Sequence, residues 1–85
     1  MDITFERTSA WDFDRDSVAF PAIVDGERIR CLVSQEALQD HFDGGILGAD
    51  LVATFEANRK MIEGVARKKL ESSRDNPLIL RTRDF

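Results

Sequence analysis

Two residues constrain this chain more than any others: Asp25-Gly26, set between VAFPAIV and ERIRCLVS. An Asp-Gly pair between two β-rich runs predicts a two-residue type I′ turn, because that turn needs positive φ at both central positions. The loop length then dictates the pairing. Val24 faces Glu27, Ala22 faces Ile29, Phe20 faces Cys31 and Val18 faces Val33. Side chains alternate along a strand, so these pairs share one face, which is apolar except at the turn. The opposite face sets Ala19, Pro21 and Ile23 against Leu32, Arg30 and Arg28, a mixed surface. Pro21 falls at a non-hydrogen-bonded pair in this register, so it belongs at an edge or at a break in the next ladder. Cys31, central on the apolar face, reads as a small buried hydrophobe, with no base or helix N-terminus at hand to lower its pKa.

The rest of the chain organises around the hairpin. Ile3 and Phe5 alternate about Thr4 as a short first strand, and TSAWDFDRDS reads as a polar connection pinned by Trp11 and Phe13. Ser34 ends the second hairpin strand and caps a short helix, QEALQDHF, which presents Leu38 and Phe42 one turn apart. DGGILG breaks that helix. From Asp50, a second N-cap candidate, the pattern is helical to about Ser72, with Leu51, Phe55, Ile62, Val65 and Ala66 in one stripe. Pro77 stops it, and LILRTRDF reads as a last strand. The order β–β–β–α–α–β predicts one α+β domain over residues 1–85. It has two layers: an antiparallel sheet of about four strands packed on one long helix and one short helix.

Composition excludes several classes of function. Eighty-five residues hold one modest core. One cysteine allows no internal disulfide, and MDITFER has neither the basic nor the apolar region of a signal peptide. No apolar run approaches the roughly 20 residues of a membrane helix. The expected location is the cytoplasm. The net charge of −4 is uneven: residues 1–45 hold ten acids and four bases, residues 46–85 six acids and eight bases. A basic patch through Arg67, Lys68, Lys69, Arg74, Arg81 and Arg83 is therefore the basis of an alternative role, weak nucleic-acid contact. Overall acidity and the lack of aromatic platforms argue against it.

The tempting sites are weak. Asp12, Asp14 and Asp16 imitate positions 1, 3 and 5 of a calcium loop, but Ser17 and Ile23 stand where glycine and the bidentate glutamate belong. The glycines of GGILG lie between helices, without the spacing of a dinucleotide loop. His41 has no nucleophile beside it, and Cys31 faces the core. Asn58 lies inside the apolar stripe, so its amide needs a partner, either sheet backbone or another molecule. Arg59 and Glu63 stand one turn apart on the stripe's shoulder. No cofactor, metal or catalytic set is expected.

Phe20-Pro21-Ala22, the Gly26…Ile29-x-Cys31 spacing and Phe55-x-x-x-Arg59-x-x-Ile62-Glu63 resemble the small bacterial family catalogued as domain of unknown function 1488. The likeness spans nearly the whole chain. It implies an α+β domain with an antiparallel sheet and helices, and it brings no activity, cofactor or catalytic residues. It also places Arg59 and Glu63 inside a family-like motif. The expectation is a non-enzymatic binding module that contacts a protein or a second copy of itself. Its contact residues are Ile23, Arg28, Arg30 and Leu32 on the hairpin's outer face, with Arg59 and Glu63.

Overall fold

A computed structural model of the chain describes residues 1–85. The hairpin forms as the turn dictates. Strand β3 (Ser17–Val24) pairs antiparallel with β4 (Glu27–Ser34) through eight residue pairs, from Val24↔Glu27 to Ser17↔Ser34. Asp25 and Gly26 have φ of 50° and 86°, the signs a type I′ turn requires.

Pro21 explains the outer edge of β3. Strand β1 (Ile3–Phe5) pairs with Ala22–Val24, and β2 (Ala10–Asp12) pairs with Ser17–Ala19. The two ladders leave a gap at Phe20-Pro21, where the Glu6 N–H still donates to the Pro21 carbonyl at 3.2 Å. The proline therefore stands where no N–H is needed. The segment read as a polar connection thus contains a strand. Its turn into β3 is made by Asp12, whose Oδ1 accepts the N–H groups of Asp14 (3.0 Å) and Arg15 (3.2 Å). An aspartate in that role mimics a backbone turn, which is what the apparent calcium-loop spacing encodes.

On the other side of the hairpin, β5 (Leu78–Leu80) pairs with β4 in parallel, Cys31↔Leu78 to Val33↔Leu80. The α+β class and the two layers stand, with five strands and one parallel pair in the sheet. The last strand is shorter than LILRTRDF. A 3-10 turn, Thr82–Asp84, follows it and seats Phe85 against His41 and Phe42.

Helix α1 (Gln35–Phe42) begins where expected, with the Ala37 N–H donating to Ser34 Oγ at 3.1 Å. The long helix is two helices, α2 (Gly48–Ala57) and α3 (Arg59–Ser72), separated at Asn58. Asn58 has φ −120° and ψ 20°; its N–H donates to Phe55, and its Nδ2 donates to the Thr54 carbonyl at 2.9 Å. The side chain thus replaces the backbone bond that the break removes, as asparagine does where it competes with helix. Its partner is neither the sheet nor another molecule. The start of α2 also differs, since Leu47 rather than Asp50 precedes it.

The helices cover one face of the sheet. Val18, Phe20, Cys31 and Val33 from the hairpin, Ala37 and Leu38 from α1, Leu51 and Phe55 from α2, and Ile62, Ala66 and Leu70 from α3 are all fully buried. The centre is aromatic: the Phe20 ring lies 4.8 Å from Phe55 and 6.1 Å from Phe5, a spacing at which ring pairs add to area burial. Gly48 is where α2 meets β2; a Cβ there would lie 2.7 Å from the Trp11 ring. No helix is long and apolar enough to cross a membrane.

Candidate interaction surface

Because the helices occupy one face of the sheet, the alternation of β3 and β4 leaves the opposite face without a helical cover. Ile23, Pro21 and Ala19 are half-buried there, and Arg28 and Arg30 are exposed. Two ion pairs cross it. Arg30 reaches from β4 over β3 to Asp12 on β2, at 2.6 Å. Arg28 reaches Glu6, just after β1, at 3.1 Å. The Arg30 guanidinium hydrogen-bonded to Asp12 is the main reason that this carboxyl titrates below its ordinary range. The Arg28–Glu6 pair is exposed and contributes little to stability, whereas the Asp12 carboxylate is only 10% exposed beneath a half-exposed Arg30.

The gap between β1 and β2 adds relief. A concavity of about 400 Å³ opens at Pro21, bounded by Thr8 and Ser9 of the connecting loop, Arg28 and Arg30, and Asn76. Asn76 Oδ1 accepts the Arg30 N–H at 3.1 Å, extending the β4–β5 ladder by one bond.

Leu32 departs from expectation. It lies on this open face yet is fully buried. Its cross-strand neighbours are Ala19 on β3 and Ile79 on β5, and the Arg30–Asp12 bridge crosses β3 beside it. Leu32 therefore packs within the face and is no contact residue.

Arg59 and Glu63 also lie elsewhere, on the helical layer. The Arg59 side chain is only 15% exposed. It pairs with Glu63 at 2.6 Å and Glu56 at 3.0 Å, donates to the Glu6 carbonyl and lies 5.1 Å over the Phe55 ring. The pair is half-buried and clamps α3 to the end of β1, which is the contact beyond its own helix.

The basic C-terminal half does not assemble into one free patch. Arg67 donates to the Ile3 carbonyl at 3.0 Å, Lys69 binds the Ile79 carbonyl (2.7 Å) and Asp84 (3.0 Å), and Arg74 approaches Asp25. Burial raises the Asp84 carboxyl, but the Arg81 N–H and Lys69 outweigh it and hold the group below its ordinary range. Arg81 and Arg83 line, with Arg15, a second concavity of about 760 Å³ on the open face at Leu32 and Ile79, where Asp14, Asp16 and Glu36 offset their charge.

Cys31 and His41 serve the fold. Burial pushes the Cys31 thiol up to about 12, so the nucleophilic thiolate is scarce at neutral pH. Thiol reagents are expected to label it slowly in native protein and rapidly in denaturant; fast native labelling would contradict its burial. His41 Nε2 donates to the Thr82 carbonyl at 3.0 Å and stacks 5.6 Å from Phe85, tying the C-terminus to α1.

One surface escaped the sequence reading. Trp11 packs against the core, but Phe13, read as pinned with it, is 84% exposed; Ile46 and Leu47 are 83% and 67% exposed. Three large apolar residues in turns were a visible signal, since turns usually carry polar side chains.

Comparison with known proteins agrees with the fold. The sequence model of a family described as "Protein of unknown function (DUF1488)" matches residues 3–80. The chain is similar to the uncharacterized protein YrdB of Escherichia coli (strain K12), 28% identical over 74 residues, covering 87% of this chain and 86% of that protein. It is also similar in structure to a protein of unknown function from the same family from Shewanella loihica PV-4. That match has a TM-score of 0.82 and 24% identity and covers 94% of each chain.

Proposed function

The chain belongs to the DUF1488 family, and from that premise we propose that it is a small cytoplasmic, non-enzymatic binding module whose open sheet face takes a second copy of itself. The observation that carries this reading is the composition of that face. Arg28 and Arg30 alternate there with Glu6 and Asp12 around Ile23 and Pro21. Arg28, Arg30 and Glu6 are the reachable charges of the face, Asp12 being held beneath Arg30, so a two-fold axis can set Arg30 of one copy against Glu6 of the other. The buried thiol and the fold-bound histidine supply no nucleophile and base for chemistry. The internal engagement of Arg67, Lys69 and Arg74 weakens the nucleic-acid alternative.

The size of the face sets the strength. The two long strands have eight residues each and the three short ones three each; at about 3.3 by 4.8 Å per residue the face spans roughly 400 Å² per copy. Two copies then bury about 800 Å², below the roughly 1,000 Å² of a stable specific interface and in the range of a transient one. The dimer is accordingly weak, in the micromolar range or poorer.

Sedimentation equilibrium tests this. The wild-type mass should rise with concentration, and Ile23→Asp should hold the protein monomeric with an unchanged circular dichroism spectrum. Ile23 points away from the helices and faces Arg28, so an aspartate there is tolerated. Arg28→Ala should give a smaller, salt-sensitive loss. A wild-type protein that stays monomeric throughout contradicts the reading, and so does a dimer indifferent to Ile23→Asp.

A further inference from the structure

Three of the five exposed large apolar side chains, Phe13, Ile46 and Leu47, lie in two turns that meet at Trp11. Phe13, in the turn between β2 and β3, sets its ring edge-on to Trp11 at 6.4 Å. The backbone at Gly48 presses on the same indole, and Ile46 and Leu47 of the loop between α1 and α2 immediately precede it in the chain. Phe13, Ile46 and Leu47 are all more than two-thirds exposed or close to it. Single exposed hydrophobes need no explanation, whereas several brought together from two separate turns mark a contact surface.

Charge identifies what fits. Asp14 flanks Phe13; Asp43 precedes Ile46, and Asp50 packs on the same loop at Gly45. Asp43 and Asp50 have no basic group within ion-pair distance, whereas Asp14 shares a concavity with Arg15, Arg81 and Arg83, and Asp12 is paired with Arg30. Arg15 is the one base in the two segments. We propose that this cluster docks a lysine- or arginine-bearing amphipathic segment of another protein, its apolar side chains on Phe13, Ile46 and Leu47 and its bases on Asp43 and Asp50. A second copy would bring like-charged rims together. An anionic membrane surface would meet the same repulsion.

The inference stands apart from the sheet-face reading and has its own reporter. Trp11 is the only tryptophan, so its emission follows occupancy of the cluster. The test titrates the full chain with an amphipathic Leu/Lys peptide, with its Leu/Glu counterpart and with phosphatidylserine vesicles. The Leu/Lys peptide should shift Trp11 emission at low salt, and the other two should not. Ile46→Ser keeps every charge and removes one apolar anchor, so it should weaken the peptide about tenfold. Ile23→Asp should leave peptide binding unchanged. Four results overturn the proposal: no shift with the Leu/Lys peptide, an equal shift with the Leu/Glu peptide, a shift with vesicles alone, or an affinity indifferent to both Ile46→Ser and Phe13→Ser.

Discussion

Phe55→Ala is expected to destabilise the protein by roughly 3–5 kcal/mol, the range for removing a buried phenylalanine. Phe55 is fully buried, and its loss acts in three places at once. It removes the ring 4.8 Å from Phe20 and opens a cavity between the sheet and α2. It also takes away the surface beneath Arg59, the residue that clamps α3 to the Glu6 carbonyl. For a domain whose total stability is on the order of 5–15 kcal/mol, such a variant loses a large share of it and, at the lower end of that range, is largely unfolded. Thermal and urea unfolding measure the change. A midpoint within a few degrees of wild type would mean that the helices do not form the second layer.

Leu32→Ala is expected to cost about 2–3 kcal/mol, the lower part of the range for a buried leucine. The figure sits at the lower part because Leu32 packs outside the main core, where neighbouring side chains can settle into the space. The contrast is with Ile23→Ala on the same face, which removes a half-buried side chain and should cost clearly less. If the face were a plain surface, both substitutions would be small and alike. Urea unfolding of the two variants separates these outcomes.

The two substitutions also mark where the sequence was legible. Asp25-Gly26 determines all eight β3–β4 pairs, because turn type sets loop length and loop length sets register. The same register placed Pro21 at the break between β1 and β2, and it put Phe20 and Cys31 under the helices. These are local consequences of turn chemistry and a period of two. Leu32 was misjudged because alternation tells which face a side chain takes, while its exposure depends on neighbours several strands away. Asp12 and Arg30 are 18 residues apart, and no pattern announces their bridge.

The helical half shows the same limit. Apolar spacing continues from Leu51 through Ala66, so periodicity alone joins α2 to α3. Asn58, a poor helix former within the stripe, was the one sign of the break, and its amide permits two readings until Thr54 is seen to accept it. The direction of β5 was not local either. Parallel strands need a crossover connection of a dozen or more residues, which the three helices between β4 and β5 supply, but that length permits either direction. Arg59 illustrates the point for function: an i, i+4 ion pair is visible in sequence, while its seat over Phe55 and against β1 exists only after folding.

The claim on which the functional reading turns is that two copies meet through the open sheet face, and amide NMR shifts across a concentration series test it most directly. The account predicts concentration-dependent shifts at Glu6, Ala10, Ile23, Arg28 and Arg30, with Ile62, Ala66 and Leu70 unmoved, and no such shifts in Ile23→Asp. A spectrum that does not change with concentration, or one whose changes centre on the helical layer, would contradict it.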